Sequence, residues 1–118
     1  MHSSEHSHYL EIYTDGSKDG VRTAAAVVAP NFVKTVRLAD NASIFAAEIH
    51  ALDMALGIIW RTRSKDYVIF SDSLSSLEDI DSCEAENPLI LKIQKDHSEG
   101  INTGKSINFL LDSQSHGY

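Results

Sequence analysis

Apolar and polar positions along this chain fall into two periods, and their order predicts the succession β-β-β-α-β-α-α-β. Tyr9 to Thr14 is rich in aromatic and β-branched residues and predicts a first strand. A turn is expected over Ser17-Lys-Asp-Gly20, Val21 to Ala29 follows with Ala24-Ala-Ala-Val-Val-Ala29 small and apolar, Pro30-Asn31 marks a turn, and Phe32 to Leu38 alternates, so two further strands form an antiparallel meander. From Ile44 the apolar residues change period, falling at Ile44, Ala47, Ala51, Leu52, Ala55, Leu56 and Ile59. That spacing predicts a helix to about Arg61, started by the capping side chains of Asp40-Asn-Ala-Ser43. Tyr67-Val-Ile-Phe70 is continuously apolar, as a central strand buried on both faces would be. Ser73 to Ile80 predicts a short helix, and Asn87-Pro88 opens another whose inward side is Leu89, Ile90, Ile93 and His97. Gly100 and Gly104 are expected to flank a loop before a last alternating strand, Ser106 to Leu111.

Composition narrows the class. A length of 118 residues suits one domain, expected over residues 9–118, with residues 1–8 as a solvated polar tail. His2, His6 and His8 in that tail are read as solvated rather than as metal ligands. No apolar run approaches the ~18–20 residues of a membrane helix, and the N-terminus lacks a signal-peptide core, so no membrane partner is expected. The lone Cys83 excludes an internal disulfide and fits a reducing, intracellular compartment, nuclear or cytoplasmic. A net charge of −7 argues against a free-standing nucleic-acid binder, though not against an enzyme that grips phosphates through bound cations.

Candidate chemistry sits on three acids. Asp15 follows the first strand and precedes Gly16, whose backbone could turn sharply or approach a ligand without a Cβ in the way; Asp-Gly is equally a plain turn signal. Glu48 falls on the apolar stripe of the long helix, where it either faces the sheet or snorkels from the stripe's edge. Asp72 ends the central strand. If that strand follows a helical crossover it runs parallel to the first, and Asp15 and Asp72 lie side by side at the carboxyl edge of the sheet. Clustered carboxylates repel unless a divalent cation joins them, and Mg²⁺ takes such hard oxygen ligands. His50 and Asp53 project about 200° and 140° away from Glu48 around the helix. Trp60 and His97 are read as packing residues rather than as a base-stacking platform and a ligand.

Ile12-Tyr-Thr-Asp-Gly-Ser17, Ile44-Phe-Ala-Ala-Glu-Ile-His-Ala-Leu52 and Val68-Ile-Phe-Ser-Asp-Ser-Leu-Ser-Ser-Leu77 resemble, in order and spacing, the three successive motifs of the type 1 ribonuclease H domain, in the flavour of non-LTR retrotransposons. The resemblance covers residues 9 to about 111. It implies an α/β fold, a five-stranded mixed sheet with antiparallel β1-β2-β3, then parallel β4 and β5, and flanking helices. It implies hydrolysis of the RNA strand of an RNA–DNA hybrid with Mg²⁺ or Mn²⁺, and a reverse transcriptase domain as neighbour in a parent polyprotein. It makes Asp15, Glu48 and Asp72 the catalytic metal ligands, Asp15 bridging two ions and Glu48 near the scissile sugar. Gly16, Ser17 and Ser73 are substrate neighbours, with RNA told from DNA at the 2′-hydroxyl.

The resemblance fails at the C-terminal end. The family runs from its last strand into a Trp-x-Pro-x-His-like segment and a helix with a fourth acid, whereas Phe109 to Tyr118 has neither tryptophan nor proline. The closing helix is thus expected to be missing, the domain C-terminally incomplete, and apolar surface exposed on Ile107, Phe109 or their neighbours. Asp112 comes too early to be the fourth acid. His116 is read as a chain-end residue rather than the family's mobile histidine. Two functional readings follow: a hybrid endoribonuclease, or a catalytically impaired retroelement-derived fragment that keeps the fold. A third, another ribonuclease H-like class such as an exonuclease or integrase core, is disfavoured by the Thr-Asp-Gly-Ser and Ala-Glu-Ile-His-Ala-Leu segments.

Overall fold

Strand β1, Tyr9–Asp19, is the hinge of the sheet, because its two halves pair in opposite senses. Its first half runs parallel to β4, Asp66–Ser71, from Tyr9↔Asp66 to Tyr13↔Phe70. Its second half runs antiparallel to β2, Arg22–Ala29, from Tyr13↔Val28 to Asp19↔Arg22. β3, Phe32–Arg37, pairs antiparallel with β2, and β5, Ser106–Leu111, pairs parallel with β4. The sheet therefore has five strands in the order β3-β2-β1-β4-β5. The computed structural model describes residues 9–112, so the expectations for residues 1–8 and for His116 lie outside the described residues.

The expected end of β1 at Thr14 is corrected. Asp-Gly does not turn the chain at Gly16, because β2 offers a full antiparallel partner and Gly16 pairs with Ala25. The turn expected over Ser17-Lys-Asp-Gly20 is confined to Gly20-Val21, with Ser17 to Asp19 still in β1, and Gly20 has φ of 65°, a conformation that costs a residue without Cβ little.

Three helices cross over to the same side. α1, Ile44–Trp60, is capped by Ser43, whose hydroxyl accepts the Ala46 N–H at 3.0 Å. It packs on β1, β2 and β4. α2, Leu74–Ile80, is capped by Ser73. α3, Pro88–Asn102, starts at Asn87, whose side chain accepts from Leu89 N and Ile90 N, with proline in the first turn. Gln94 of α3 donates to the Ile80 and Ser82 carbonyls and so anchors the exit of α2. The core lies between this helical layer and one sheet face: Ile12, Val27, Tyr67, Ile69 and Ile107 meet Leu52, Leu56, Ile59, Ile90 and Ile93.

Burial of α1 is wider than its predicted stripe. Ile49 and Ile58 are also buried, while Ile44 in the first turn is exposed. Ile58 falls within that stripe, between Ala47 and Ala51 around the helix, whereas Ile49 lies at its edge toward Asp53, the side on which α3 lies against α1 and is tied to it by Lys92–Asp53 at 2.7 Å. Trp60, read as a packing residue, is 41% exposed at the helix end. His97 does pack beside β5: its Nε2 meets the Ile107 carbonyl at 2.9 Å and its ring is edge-on to Phe109.

Gly100 does not flank a loop but sits buried inside α3, close against Ile107. Beyond it, Lys105 donates to the Thr62 and Ser64 carbonyls, joining the turn before β5 to the loop before β4. The apolar exposure expected on β5 falls on the neighbours of Phe109: Ile107 is buried and Phe109 partly covered, while Leu110 and Leu111 are exposed. Among the described residues, none of the helices is long and apolar enough to cross a membrane.

Two glycines give opposite expected outcomes. A Cβ on Gly16 would lie 2.7 Å from the Glu48 backbone nitrogen, so Gly16→Ala should destabilise by about 1–3 kcal/mol. A Cβ on Gly57, within α1, meets nothing within 4 Å, so Gly57→Ala should stabilise by roughly 0.5–1 kcal/mol. Urea unfolding of both variants reads the sign of each.

Candidate metal centre

Alternation along β1 decides where its side chains go. Ile12 and Thr14 face the helices, so Asp15 faces the opposite side, at the rim where β1 and β4 part company. On β4, Tyr67, Ile69 and Ser71 face the helices, and Asp72 follows immediately after the strand. Parallel pairing sets these two carboxylates beside each other. Glu48 reaches the same point from the other layer. It stands in the middle of the sheet-facing side of α1 and is only 9% exposed, so it is buried rather than snorkelling. Carboxylate oxygens of Asp15, Glu48 and Asp72 lie within 4.8 Å of one another.

Gly16 makes this approach possible, though not by exposing backbone to a ligand. The side its Cβ would occupy is filled by Ala47 and the Glu48 backbone. Its N–H donates to Glu48 Oε1 at 3.1 Å. Gly16 is thus the seat on which the N-terminal part of α1 rests, and its missing Cβ serves that packing. Ser17 is exposed on β1 two residues past Asp15. Ser73 is occupied as the α2 cap: its hydroxyl accepts from Ser76 N at 3.3 Å and lies 2.8 Å from the Ser76 hydroxyl. His50 and Asp53 lie around the helix from Glu48, and Asp53 is taken up by Lys92.

Two residues that periodicity does not single out fix the acids in place. The hydroxyl of Thr14, 8% exposed, donates to the Phe70 carbonyl at 2.7 Å. This is one rung past the Tyr13↔Phe70 pair that ends the β1–β4 ladder, just before Asp15. Ser71, fully buried, accepts the Ser73 N–H at 3.1 Å and so closes a tight turn around Asp72. A sequence signal exists for both, a hydroxyl residue directly preceding each acid, but its meaning depends on the strand register.

Electrostatics reflect the crowding. Burial, and then repulsion from Asp72 and Asp15, pushes the Glu48 carboxyl up from 4.5 to about 7, against the opposing effect of the Gly16 N–H. Asp15 is also raised, first by burial and then by Asp72. A donor set of carboxylate oxygens at this spacing fits a hard divalent cation such as Mg²⁺, which would relieve the same repulsion.

The sign for stability follows. A carboxyl whose folded pKa lies above its unfolded value is stabilising to the fold when protonated, and that contribution is lost as pH rises through about 7. In chelator, the melting temperature should therefore fall between pH 6 and pH 8. Glu48→Gln should flatten this dependence, and millimolar Mg²⁺ should reverse it at pH 8. Thr14→Val, isosteric but without the rung, should cost about 1 kcal/mol and weaken Mn²⁺ binding, with Thr14→Ser retaining both. Calorimetry with and without metal measures each.

No protein-family model and no curated protein matches the chain in sequence. Solved structures do match. The compost-derived LC11-RNase H1, determined in complex with RNA/DNA hybrid, aligns at TM-score 0.69 and 14% identity over 90% of this chain and 86% of that one. RNase H1 from the halophilic archaeon Halobacterium salinarum aligns at 0.66 and 16% over 91% and 87%. The protease–reverse transcriptase of prototype foamy virus aligns at 0.64 and 15%, over 93% of this chain but 18% of that one. At these identities the likeness concerns backbone architecture: with its β3-β2-β1-β4-β5 sheet and one-sided helices, the chain has the ribonuclease H fold.

Proposed function

We propose that this chain is an endoribonuclease acting on the RNA strand of an RNA–DNA hybrid, with Asp15, Glu48 and Asp72 as the ligands of catalytic Mg²⁺ or Mn²⁺. The observation that carries the reading is the convergence of these three acids, drawn from two strands and a helix, within 4.8 Å on a ribonuclease H scaffold. When bound, a pair of divalent ions would supply positive charge to the scissile phosphate and acidify the attacking water.

The chain's own residues would do the rest. Asp15, beside Asp72 at the sheet rim and within reach of Glu48, would hold the ions, and the resemblance makes it the ligand they share. Glu48, held by the Gly16 N–H, is suited to lie near the scissile sugar. Ser17 is an exposed hydroxyl next to Asp15 on its strand and suits a contact to the hybrid backbone. Ser73 contributes through the turn that carries Asp72 rather than by a free hydroxyl. The hybrid substrate is supported by the neighbour crystallised with one, and a reverse transcriptase domain as companion by the foamy virus protease–reverse transcriptase, of which this chain spans a small part. A retroelement origin and an intracellular site of action, nuclear or cytoplasmic, belong to the same proposal, consistent with the exposed free thiol of Cys83.

A second reading keeps the fold without the activity. One observation favours it: among the described residues the acidic cluster has three members, so a metal pair would lean on water and substrate for its remaining ligands.

The test is cleavage of an end-labelled RNA–DNA hybrid with Mg²⁺ or Mn²⁺. Cutting of the RNA strand alone, lost by at least about 100-fold in Asp15→Asn with an unchanged melting temperature, is the expected result. A folded, Mn²⁺-binding wild-type chain that leaves the hybrid intact would overturn the enzyme and leave the second reading.

A further inference from the structure

Two strands end the sheet, β3 on one side and β5 on the other, and the two edges differ. β3 carries Lys34 and Arg37, charges that oppose the pairing of a further strand. β5, Ser106-Ile-Asn-Phe-Leu-Leu111, has no charge and no proline. Its ladder shows which backbone groups are left over. The N–H of Ser106 donates to the Lys65 carbonyl at 2.6 Å, and that of Asp112 to the Ser71 carbonyl at 2.7 Å. Backbone groups alternate in direction along a strand, so Asn108 and Leu110 also point to β4, and Ile107, Phe109 and Leu111 point outward. The Ile107 carbonyl meets His97 Nε2. The N–H and C=O of Phe109 and Leu111 meet no further strand among the described residues.

A cleft of about 430 Å³ opens along this edge, between α2, α3 and β5. Asn108 and Phe109, whose side chains leave opposite faces of β5, both line it, so it reaches the edge itself. Leu77, Ile80 and Phe109 form its apolar part, and Glu78 and Asp81 its charged part. Both acids are exposed, and among the described residues neither has an ion-pair partner. Neither belongs to the candidate metal centre. An extended segment laid along β5 would turn every second side chain toward this cleft. A lysine or arginine there would rest its stem on Leu77 and Ile80 and set its charge between Glu78 and Asp81. The β5 of a second copy has no cation to offer, and joining two β5 edges would bring these acids together on chains of net charge −7 each.

We propose that the outer edge of β5 takes up an extended basic segment of a protein partner as an added strand, its Lys or Arg side chains entering the cleft between Glu78 and Asp81. This strand addition is independent of the nuclease reading. The probe is a synthetic peptide of about seven residues that alternates valine and lysine. One counterpart has glutamate in place of lysine, and another is N-methylated along its backbone so that it cannot donate to a ladder. Each is titrated into the full chain and followed by calorimetry and by amide exchange in NMR. In the chain alone, the Phe109 and Leu111 amides should exchange at least about tenfold faster than those of Asn108 and Leu110. The lysine peptide should slow Phe109 and Leu111 by at least about tenfold and bind about tenfold more tightly than the glutamate peptide, while the N-methylated peptide protects neither amide. The pair Glu78→Lys/Asp81→Lys should weaken the lysine peptide about tenfold while the melting temperature stays put. Phe109 and Leu111 already protected in the chain alone, binding without their protection, equal binding of the lysine and glutamate peptides, no binding at all, or self-association in sedimentation that protects the same amides would each overturn the proposal.

Discussion

Mutual repulsion of three carboxylates, one buried on a helix and two exposed at the sheet rim, is the interaction around which the molecule is arranged. Left alone, Asp15, Glu48 and Asp72 would move apart, and the elevated Glu48 carboxyl records the cost of keeping them together. What holds them is the rest of the fold. The Thr14 hydroxyl extends the β1–β4 ladder up to the acids, Ser71 closes the turn at Asp72, and the missing Cβ of Gly16 lets α1 settle onto β1. The core behind these contacts, from Ile12 and Ile69 to Leu52 and Leu56, keeps the two layers from sliding. Packing energy is thereby invested in a geometry that is electrostatically unfavourable without a cation, a pattern more typical of sites than of scaffolding.

Much of the architecture is legible in the chain, for local reasons. Ser43 and Asn87 are cap residues in sequence and caps in space, and the Pro30-Asn31 turn and the alternation of Ser106–Leu111 need no distant partner to be read. Misreadings arise where a distant segment outweighs a local signal. Asp15-Gly16 is turn chemistry, yet β2 draws it into an extended ladder. Gly100 is a helix breaker by propensity, yet the proximity of Ile107 favours a residue without a side chain inside α3. Ile49 lies at the edge of the stripe that faces the sheet, on the side of α1 where Asp53 meets Lys92 of a second helix, and is buried all the same.

The acids themselves were readable because strand ends and helix stripes are periodic features. Their supports were not. Gly16 and Glu48 are 32 residues apart, and only the folded distance between them reveals why one is a glycine and the other can be buried. The same holds for Thr14 and Phe70, separated by 56 residues. A pattern along one segment predicts which face a side chain takes, whereas closeness between segments is a property of the assembled layers.

The dispersal of the ligands along the chain has a thermodynamic corollary. Asp15, Glu48 and Asp72 belong to three segments that touch only once the sheet and α1 are joined, so an unfolded chain offers a cation no more than scattered single carboxylates. For a cation held by all three, affinity and conformational stability would be one coupled quantity: whatever lifted α1 from β1 would release the ion, and loading the ion would tighten that seam.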